Sequence, residues 1–143
     1  MNFLSKKSLN YLLEAIESKE FKKYAWFFNF RVLEKGLMFR FLEMAVYIRS
    51  HIFKEPYGDQ GLMISRDLYY SIGGYKHLYV MEDLDLVLRL SKSKKLKCLG
   101  FALITSSRKW NKKGIIKNAI KNAKLRFRWR RGEHSKSLSD EYY

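Results

Sequence analysis

Residues 56–89 read PYGDQGLMISRDLYYSIGGYKHLYVMEDLDLVLR, and this stretch contains the signals that define the fold class. Pro56 ends the helical pattern before it, because proline cannot continue a helix. Residues 61–65 then predict a short buried strand, and Ser65 is placed to cap a brief helix that runs to Ile72. The pair Gly73–Gly74 ends that helix. Alternating strand and helix signals of this kind predict an α/β protein.

The acids Glu82 and Asp83 follow the glycine turn and begin a new apolar helical pattern. A carboxylate at a helix N-terminus faces free backbone N–H groups and the positive end of the helix dipole. That position suits an ionised general base directed into a cleft. For an arbitrary acidic pair a simple helix cap is the better interpretation, and only the neighbouring sequence motifs favour a general base. Leu84, Val87 and Leu88 are expected on the buried side of the helix.

Similar signals on both sides of this stretch extend the α/β pattern over one domain, residues 1–143. The chain is expected to open with a helix capped by Ser8 that carries Leu9, Leu12, Leu13 and Ile16 on one face. The remaining predicted elements are a strand at 24–32, a helix at about 37–53 with Leu37, Phe41, Met44 and Ile48 on a stripe, a strand at 96–105 and a basic helix at 114–131.

Composition narrows the class of protein. The 143 residues include 29 Lys and Arg against 14 Asp and Glu, a formal net charge of +15 that favours phosphates, nucleic acid or an anionic membrane face. No uncharged apolar run reaches the roughly 18 residues of a membrane span. The single cysteine, Cys98, lies in an apolar run and is predicted to be a buried, inert thiol. With no signal peptide in the sequence, we expect a cytoplasmic chain.

Four blocks of sequence occur in a fixed order: Gly58–Gly61, Gly73–Tyr75, Met81–Leu86 and Thr105–Trp110. Together they resemble family 2 glycosyltransferases, and most closely the bacterial selenodomain-associated subgroup. The resemblance covers nearly the whole chain and corresponds to the C-terminal, acceptor-side portion of that family. It implies a partial GT-A-like (Rossmann-like) α/β domain, a nucleotide-diphosphate-sugar donor, an unidentified acceptor and a divalent metal, Mg²⁺ or Mn²⁺.

The resemblance also implies roles for individual residues. Asp83 is the expected catalytic base, with Glu82 as its neighbour or substitute. Arg108 and Trp110 resemble the segment near the diphosphate and acceptor, although Arg108 lies among lysines and would otherwise be a solvated basic loop. Asp59 and Gln60 are candidates for shaping the acceptor pocket, and for Asp59 a plain turn between two glycines is a nearly equal alternative.

The metal ligands are not expected in this chain. Asp83 and Asp85 spell DxD, a metal signature of many glycosyltransferases, but residues two apart on a helix point about 200° apart. Asp85 is therefore interpreted as a helix-surface acid, and the three histidines lack metal-ligand spacing. No GxGxxG or Walker loop is found either. The N-terminal nucleotide-binding half of the family thus has no counterpart, which indicates a split enzyme with a separate donor-binding half, a relic or a partial sequence.

The basic C-terminal helix has two interpretations of similar weight. Its apolar arc of Ile115, Ile116, Ala119, Ile120, Ala123 and Phe127 lies beside a lysine-rich arc, as in helices that lie on an anionic membrane. An ordinary domain helix with a solvated basic face fits as well, and Arg126 and Arg130 interrupt the apolar arc. The alternative function is accordingly a non-catalytic module that binds a membrane surface or nucleic acid, although no nucleic-acid-binding signature is present.

Overall fold

The computed structural model describes residues 2–3, 5–105 and 112–142. These form a mixed α/β structure around a four-stranded sheet in the order β1-β4-β2-β3. The strands are β1 Asn2–Phe3, β2 Ala25–Val32, β3 Leu62–Met63 and β4 Leu96–Thr105; the helices are α1 Lys6–Ala15, α2 Lys19–Lys22, α3 Leu37–His51, α4 Arg66–Ser71, α5 Glu82–Lys92, α6 Lys112–Arg130 and α7 Ser135–Tyr142.

The two long strands, β2 and β4, pair in parallel at the centre of the sheet. The aromatic run of β2 favours a strand because large flat side chains pack well on a pleated surface. The short strand β3 pairs antiparallel with β2 at one edge, and β1 pairs antiparallel with the end of β4 at the other. A strand therefore precedes the first helix, and the expectation that the chain opens with a helix is wrong.

The core is divided among three clusters that fix the helices. Ala25 and Phe27 of β2 pack against Leu86, Val87 and Leu90 of α5. The other end of β2 packs against Phe39 and Val46 of α3. Val80, just before α5, packs with one leucine each from α6 and α7. The third cluster matters most for function, since it holds the C-terminal helices beside the start of α5.

Several helix signals are confirmed and others are corrected. The Ser65 hydroxyl accepts the Leu68 N–H and begins α4 as expected. The first helix is capped by Ser5 instead of Ser8, and of its predicted apolar face only Leu12 is buried. On α5 the buried residues include Leu84 and Val87, whereas Leu88 is only half-buried. Cys98 is also half-buried, and burial raises the pKa of its thiol.

Candidate active-site cleft

Glu82 and Asp83 form the first turn of α5, as the sequence indicates. The residue before them, Met81, has a φ of 70°, a left-handed conformation that costs a non-glycine residue about 1–3 kcal/mol. The Asp83 Oδ1 accepts the Leu84 N–H at 2.7 Å, while Glu82 remains exposed and Asp83 is half-buried. Helix α5 therefore begins directly after the strained residue Met81, and Glu82 and Asp83 lie together in its first turn.

Gly58 lies beside the Asp83 carboxylate. A Cβ placed on Gly58 would stand 3.7 Å from Asp83 Oδ2, so the glycine leaves the space next to that oxygen open. The two residues come from different blocks of sequence, and tertiary structure brings them together. Asp59 follows Gly58 in the same 3-10 turn, Gly58–Gln60, and its side chain lies outside the described part of the chain.

Gln60 fixes the position of the Gly58–Gln60 turn through side-chain hydrogen bonds. Its side chain has no solvent exposure, and its amide donates to the Phe28 carbonyl at 3.1 Å. The Arg49 guanidinium donates to Gln60 Oε1 at 2.9 Å. These bonds occupy the amide within the protein, so any influence of Gln60 on a bound molecule passes through the position of the turn.

The glycine turn before α5, Gly73–Gly74, is followed by a tyrosine that lies close enough to the acid pair to feel its charge. Gly73 and Gly74 both have positive φ, and a Cβ on Gly74 would meet the Tyr69 ring at 3.0 Å, so backbone geometry accounts for both glycines. The following residue, Tyr75, has a raised phenol pKa because of partial burial and then the negative charge of Asp83, with Glu82 contributing less. Three of the four blocks are thus grouped around Asp83.

Asp85 differs from the expectation of a helix-surface acid. It is buried, and its carboxylate accepts the Arg89 Nε at 2.8 Å and the Lys76 Nζ at 3.2 Å. The same Arg89 guanidinium donates to the carbonyls of Ile72 and Gly74. Since the carboxylate is occupied by these cations, Asp85 connects α5 to the glycine turn, and the interpretation as a surface acid is wrong.

A cleft of about 370 Å³ opens in front of the acid pair. It is lined by Tyr57, Gly58 and the segment 79–84, together with Asn122 and Arg126 of α6 and Tyr142 of α7. Helix α6 is held there by the third core cluster and by an ion pair between Arg130 and the buried carboxylate of Glu55. The basic helix therefore forms a wall of the cleft.

Two guanidinium groups lie over the ring of Tyr57. The Arg49 Cζ is 3.2 Å from the ring centroid, and the Arg126 Cζ is 4.1 Å from it. Such contacts orient a planar cation on the face of an aromatic ring. Burial raises the pKa of the Tyr57 phenol, although the nearby guanidinium groups oppose this effect. The cleft thus combines a half-buried carboxylate with an arginine held on an aromatic ring.

A larger groove of about 590 Å³ lies between β2, β4 and α3 and shares no lining residue with this cleft. Its one acid, Glu43, is already bonded to the Arg40 guanidinium and to the Val32 N–H. We therefore take the smaller cleft, where the acids are presented at a helix start, as the candidate active site.

The remaining predicted site residues, Arg108 and Trp110, lie outside the described residues. Within the described chain there is no group of three or more His, Cys, Asp or Glu side chains that could hold a metal ion. The divalent metal implied by the family resemblance therefore has no assigned ligands among the described residues.

Comparison with known proteins adds no further assignment, since no protein-family model, curated protein or solved structure matches this chain. The resemblance to family 2 glycosyltransferases stays a prediction that rests on the four sequence blocks.

The sequence did not reveal Tyr57, Asn122 and Arg126 as cleft residues. Tyr57 directly precedes the block Gly58–Gly61, yet a tyrosine there is equally compatible with a core position. Arg126 gave one signal, because it interrupts the apolar arc of α6. A charged residue in such an arc indicates a special environment, and here that environment is the Tyr57 ring.

Proposed function

We propose that this chain is the acceptor-side portion of a family 2-like glycosyltransferase with a partial GT-A-like fold, and that Asp83 is its catalytic base. One observation carries the proposal. The Asp83 carboxylate stands at a helix start next to Gly58, in a cleft that Arg126 of the basic helix α6 also lines. A half-buried acid with open space beside one oxygen suits the removal of a proton from a hydroxyl group.

The proposed reaction is a single displacement. The acceptor hydroxyl gives its proton to Asp83 as its oxygen forms a bond to the sugar's anomeric carbon. The bond between that carbon and the nucleotide diphosphate breaks, and the diphosphate leaves with the electron pair. Glu82, exposed at the cleft mouth, is the neighbouring acid and substitute base. Asp59 remains a proposed acceptor contact, and Gln60 is proposed to act by fixing the turn.

The leaving diphosphate needs positive charge nearby, and Arg126, which lines the same cleft, is proposed to supply it. A guanidinium can hold two phosphate oxygens at once, and its stacking on Tyr57 limits the freedom lost on binding. Arg108 and Trp110 are proposed contacts for the diphosphate and acceptor. The nucleotide-sugar and the divalent metal would be bound mainly by a donor-binding half that these residues do not include.

The test is to co-express the chain with a candidate donor-binding half and measure nucleoside diphosphate release from a panel of nucleotide sugars. We expect Asp83→Asn to lower the rate by at least about 100-fold, the range of general base catalysis. Asp67→Asn, a change of an exposed acid in the first turn of α4, is the matched control and should leave the rate unchanged. Full activity of Asp83→Asn would remove Asp83 as the base.

We also propose that the protein works at the cytoplasmic face of a membrane and contacts it through α6. In support, Ile120 and Phe127 of the predicted apolar arc are exposed, with Lys117 and Lys124 on the same helix also exposed. Among the described residues no helix is both long and apolar enough to cross a bilayer. Exchange of both apolar residues for serine should weaken binding to anionic vesicles. Binding to RNA that survives physiological salt would favour the nucleic-acid alternative instead.

A further inference from the structure

Helix α3 is apolar on two opposite sides. Its inner side packs Phe39 and Val46 on β2. Its outer side carries a row of large apolar residues three or four positions apart, which we call the α3 stripe. The α3 stripe consists of Leu37, Phe41, Met44, Ile48 and the adjoining Ile52. Because residues with this spacing share one face of a helix, they form a continuous surface.

The α3 stripe is open to solvent. Leu37 is 81% exposed, Phe41 75%, Ile52 67% and Met44 59%, and Ile48 is the least exposed at 39%. Single exposed apolar residues are normal, but a continuous row of them marks a surface that binds a partner. A helix that is apolar on both sides is typical of one that is covered on both sides. The outer face of α3 therefore needs an occupant.

The charge around the stripe indicates which occupant fits. Segment 31–54 contains five Lys and Arg residues against two Glu, and the pair between Glu43 and Arg40 leaves this excess of positive charge unchanged. Lys35 precedes the helix and Lys54 follows it, where long side chains can reach polar headgroups while the apolar face is buried. A second copy of the chain would bring a charge of +15 against +15, which disfavours self-association.

We propose that the α3 stripe inserts into the surface of an anionic lipid bilayer, with α3 lying in the membrane plane. A 15-residue helix is about 22 Å long, too short to span a bilayer but suited to an interfacial position. Insertion of the α3 stripe and attraction of Lys35 and Lys54 to anionic headgroups then both favour binding. This surface differs from the exposed arc of α6 and does not depend on glycosyl transfer.

The position of α3 gives the contact a consequence for the cleft. Ile52 lies five residues before Tyr57, so the cleft wall lies within about 18 Å of the inserted stripe, the reach of an extended segment of that length. An acceptor attached to a lipid headgroup would come within this distance. The consequence rests on the proposed function, whereas the bilayer contact itself is tested separately.

The experiment is co-sedimentation of the full chain with vesicles of phosphatidylcholine, with and without phosphatidylglycerol. We expect clear binding only with phosphatidylglycerol. The variant Leu37→Ser with Phe41→Ser should bind at least about tenfold more weakly, because two large apolar groups no longer insert. The matched control is Leu9→Ser with Leu13→Ser on α1, also two exposed apolar residues four positions apart, and it should bind as the wild type does.

A second measurement locates the helix in depth without removing apolar surface. The chain already contains three tryptophans, so the signal of interest is the extra fluorescence of an added one. Lipids brominated on their acyl chains should quench this extra fluorescence in Phe41→Trp. They should not quench it in Leu13→Trp. Circular dichroism checks that all variants fold.

Three results would overturn the proposal: unchanged binding of the α3 variant, an equal loss in the α1 control, or equal binding to vesicles without phosphatidylglycerol. Light scattering that shows a dimer dispersed by the α3 variant would assign the stripe to a second copy instead.

Discussion

The Asp85 carboxylate accepts the Arg89 Nε at 2.8 Å, and the same guanidinium donates to the carbonyl of Gly74 at 2.5 Å. One arginine therefore ties the helix that begins with the acid pair to the glycine turn that precedes it. The two residues lie four positions apart on α5, while Gly74 belongs to a different block of sequence. The connection gives the second aspartate of the apparent DxD a structural role.

Arg89→Lys should destabilise the fold although it conserves charge, because an ammonium group cannot serve Asp85 and two carbonyls in the planar arrangement of a guanidinium. Arg89→Ala should cost more, about 3 kcal/mol, since it removes the closest partner of a buried carboxylate. Denaturant unfolding measures both. Glu20→Gln, which breaks an exposed pair with Lys23, is the control and should change little. Equal stability of Arg89→Ala and wild type would contradict this role.

Two glycines of the same block should respond differently to alanine. Gly61 has a φ of 62°, and its Cβ would meet the Phe28 ring at 3.2 Å, so Gly61→Ala should destabilise the protein by about 1–2 kcal/mol. Gly58→Ala meets only Asp83 Oδ2, at an ordinary 3.7 Å, and should remain folded. Its methyl group would occupy the space beside the carboxylate, so sugar transfer should fall. Thermal unfolding measures the loss of stability, and the transfer rate measures the loss of activity. A Gly58→Ala variant that loses stability but keeps its transfer rate would rule out this role of Gly58.

Arg126→Ala should lower sugar transfer with little loss of stability, because the guanidinium lies on the Tyr57 ring at the cleft wall and outside the three core clusters. The loss should fall mainly on the donor, as a rise in KM for the nucleotide sugar. Arg131→Ala, another stacked arginine just after α6, is the matched control and should have no effect on KM. A similar rise in KM for both variants would point to overall charge as the cause.

The end of α6 should show a pH-dependent stability. Hydrogen bonds from Arg128 lower the pKa of Glu133 below its usual 4.5, and Ser137 adds a weaker bond. A lowered folded-state pKa means that the ionised form is stabilised by folding, so the contribution is present above about pH 4.5 and lost as the pH falls below it. Glu133→Gln should therefore melt lower than wild type at neutral pH.

The two melting temperatures should converge in acid, where Glu133 of the wild type is protonated. Thermal unfolding followed by circular dichroism across this range measures the difference. Glu14→Gln, a change of an exposed acid on α1, controls for a general effect of lost charge. A difference that stays constant at every pH would show that Glu133 acts through packing.

The sequence predicted the bounds of a strand and the start of a helix closely where neighbouring residues alone decide them. The strand at 96–105 has the predicted bounds, and Ser65 begins α4 as a hydroxyl cap should. The cap of α1 was misplaced because two serines three positions apart both fit the cap pattern. In the structure the Ser5 hydroxyl accepts the Ser8 N–H, which makes Ser5 the cap. Propensity alone does not separate two such candidates.

The side on which a helix packs was harder to predict. Leu37, Phe41, Met44 and Ile48 have the spacing of a buried stripe, yet they are the exposed face of α3, and Phe39 and Val46 make the core contacts. Since α3 is apolar on two opposite sides, periodicity gave two acceptable faces. Packing against β2 selected one of them.

The sequence by itself determined the acidic start of α5, the glycine turns and the places of β2, α3 and β4, because these depend on residues within a turn or two of one another. Tertiary structure alone decided that Gly58 adjoins Asp83, that Arg89 donates to the carbonyl of Gly74, and that Arg126 of a distant basic helix lies over Tyr57. Such contacts join residues up to 69 positions apart along the chain. They form only when the core clusters bring β2, α5 and α6 together, and no local pattern contains that information.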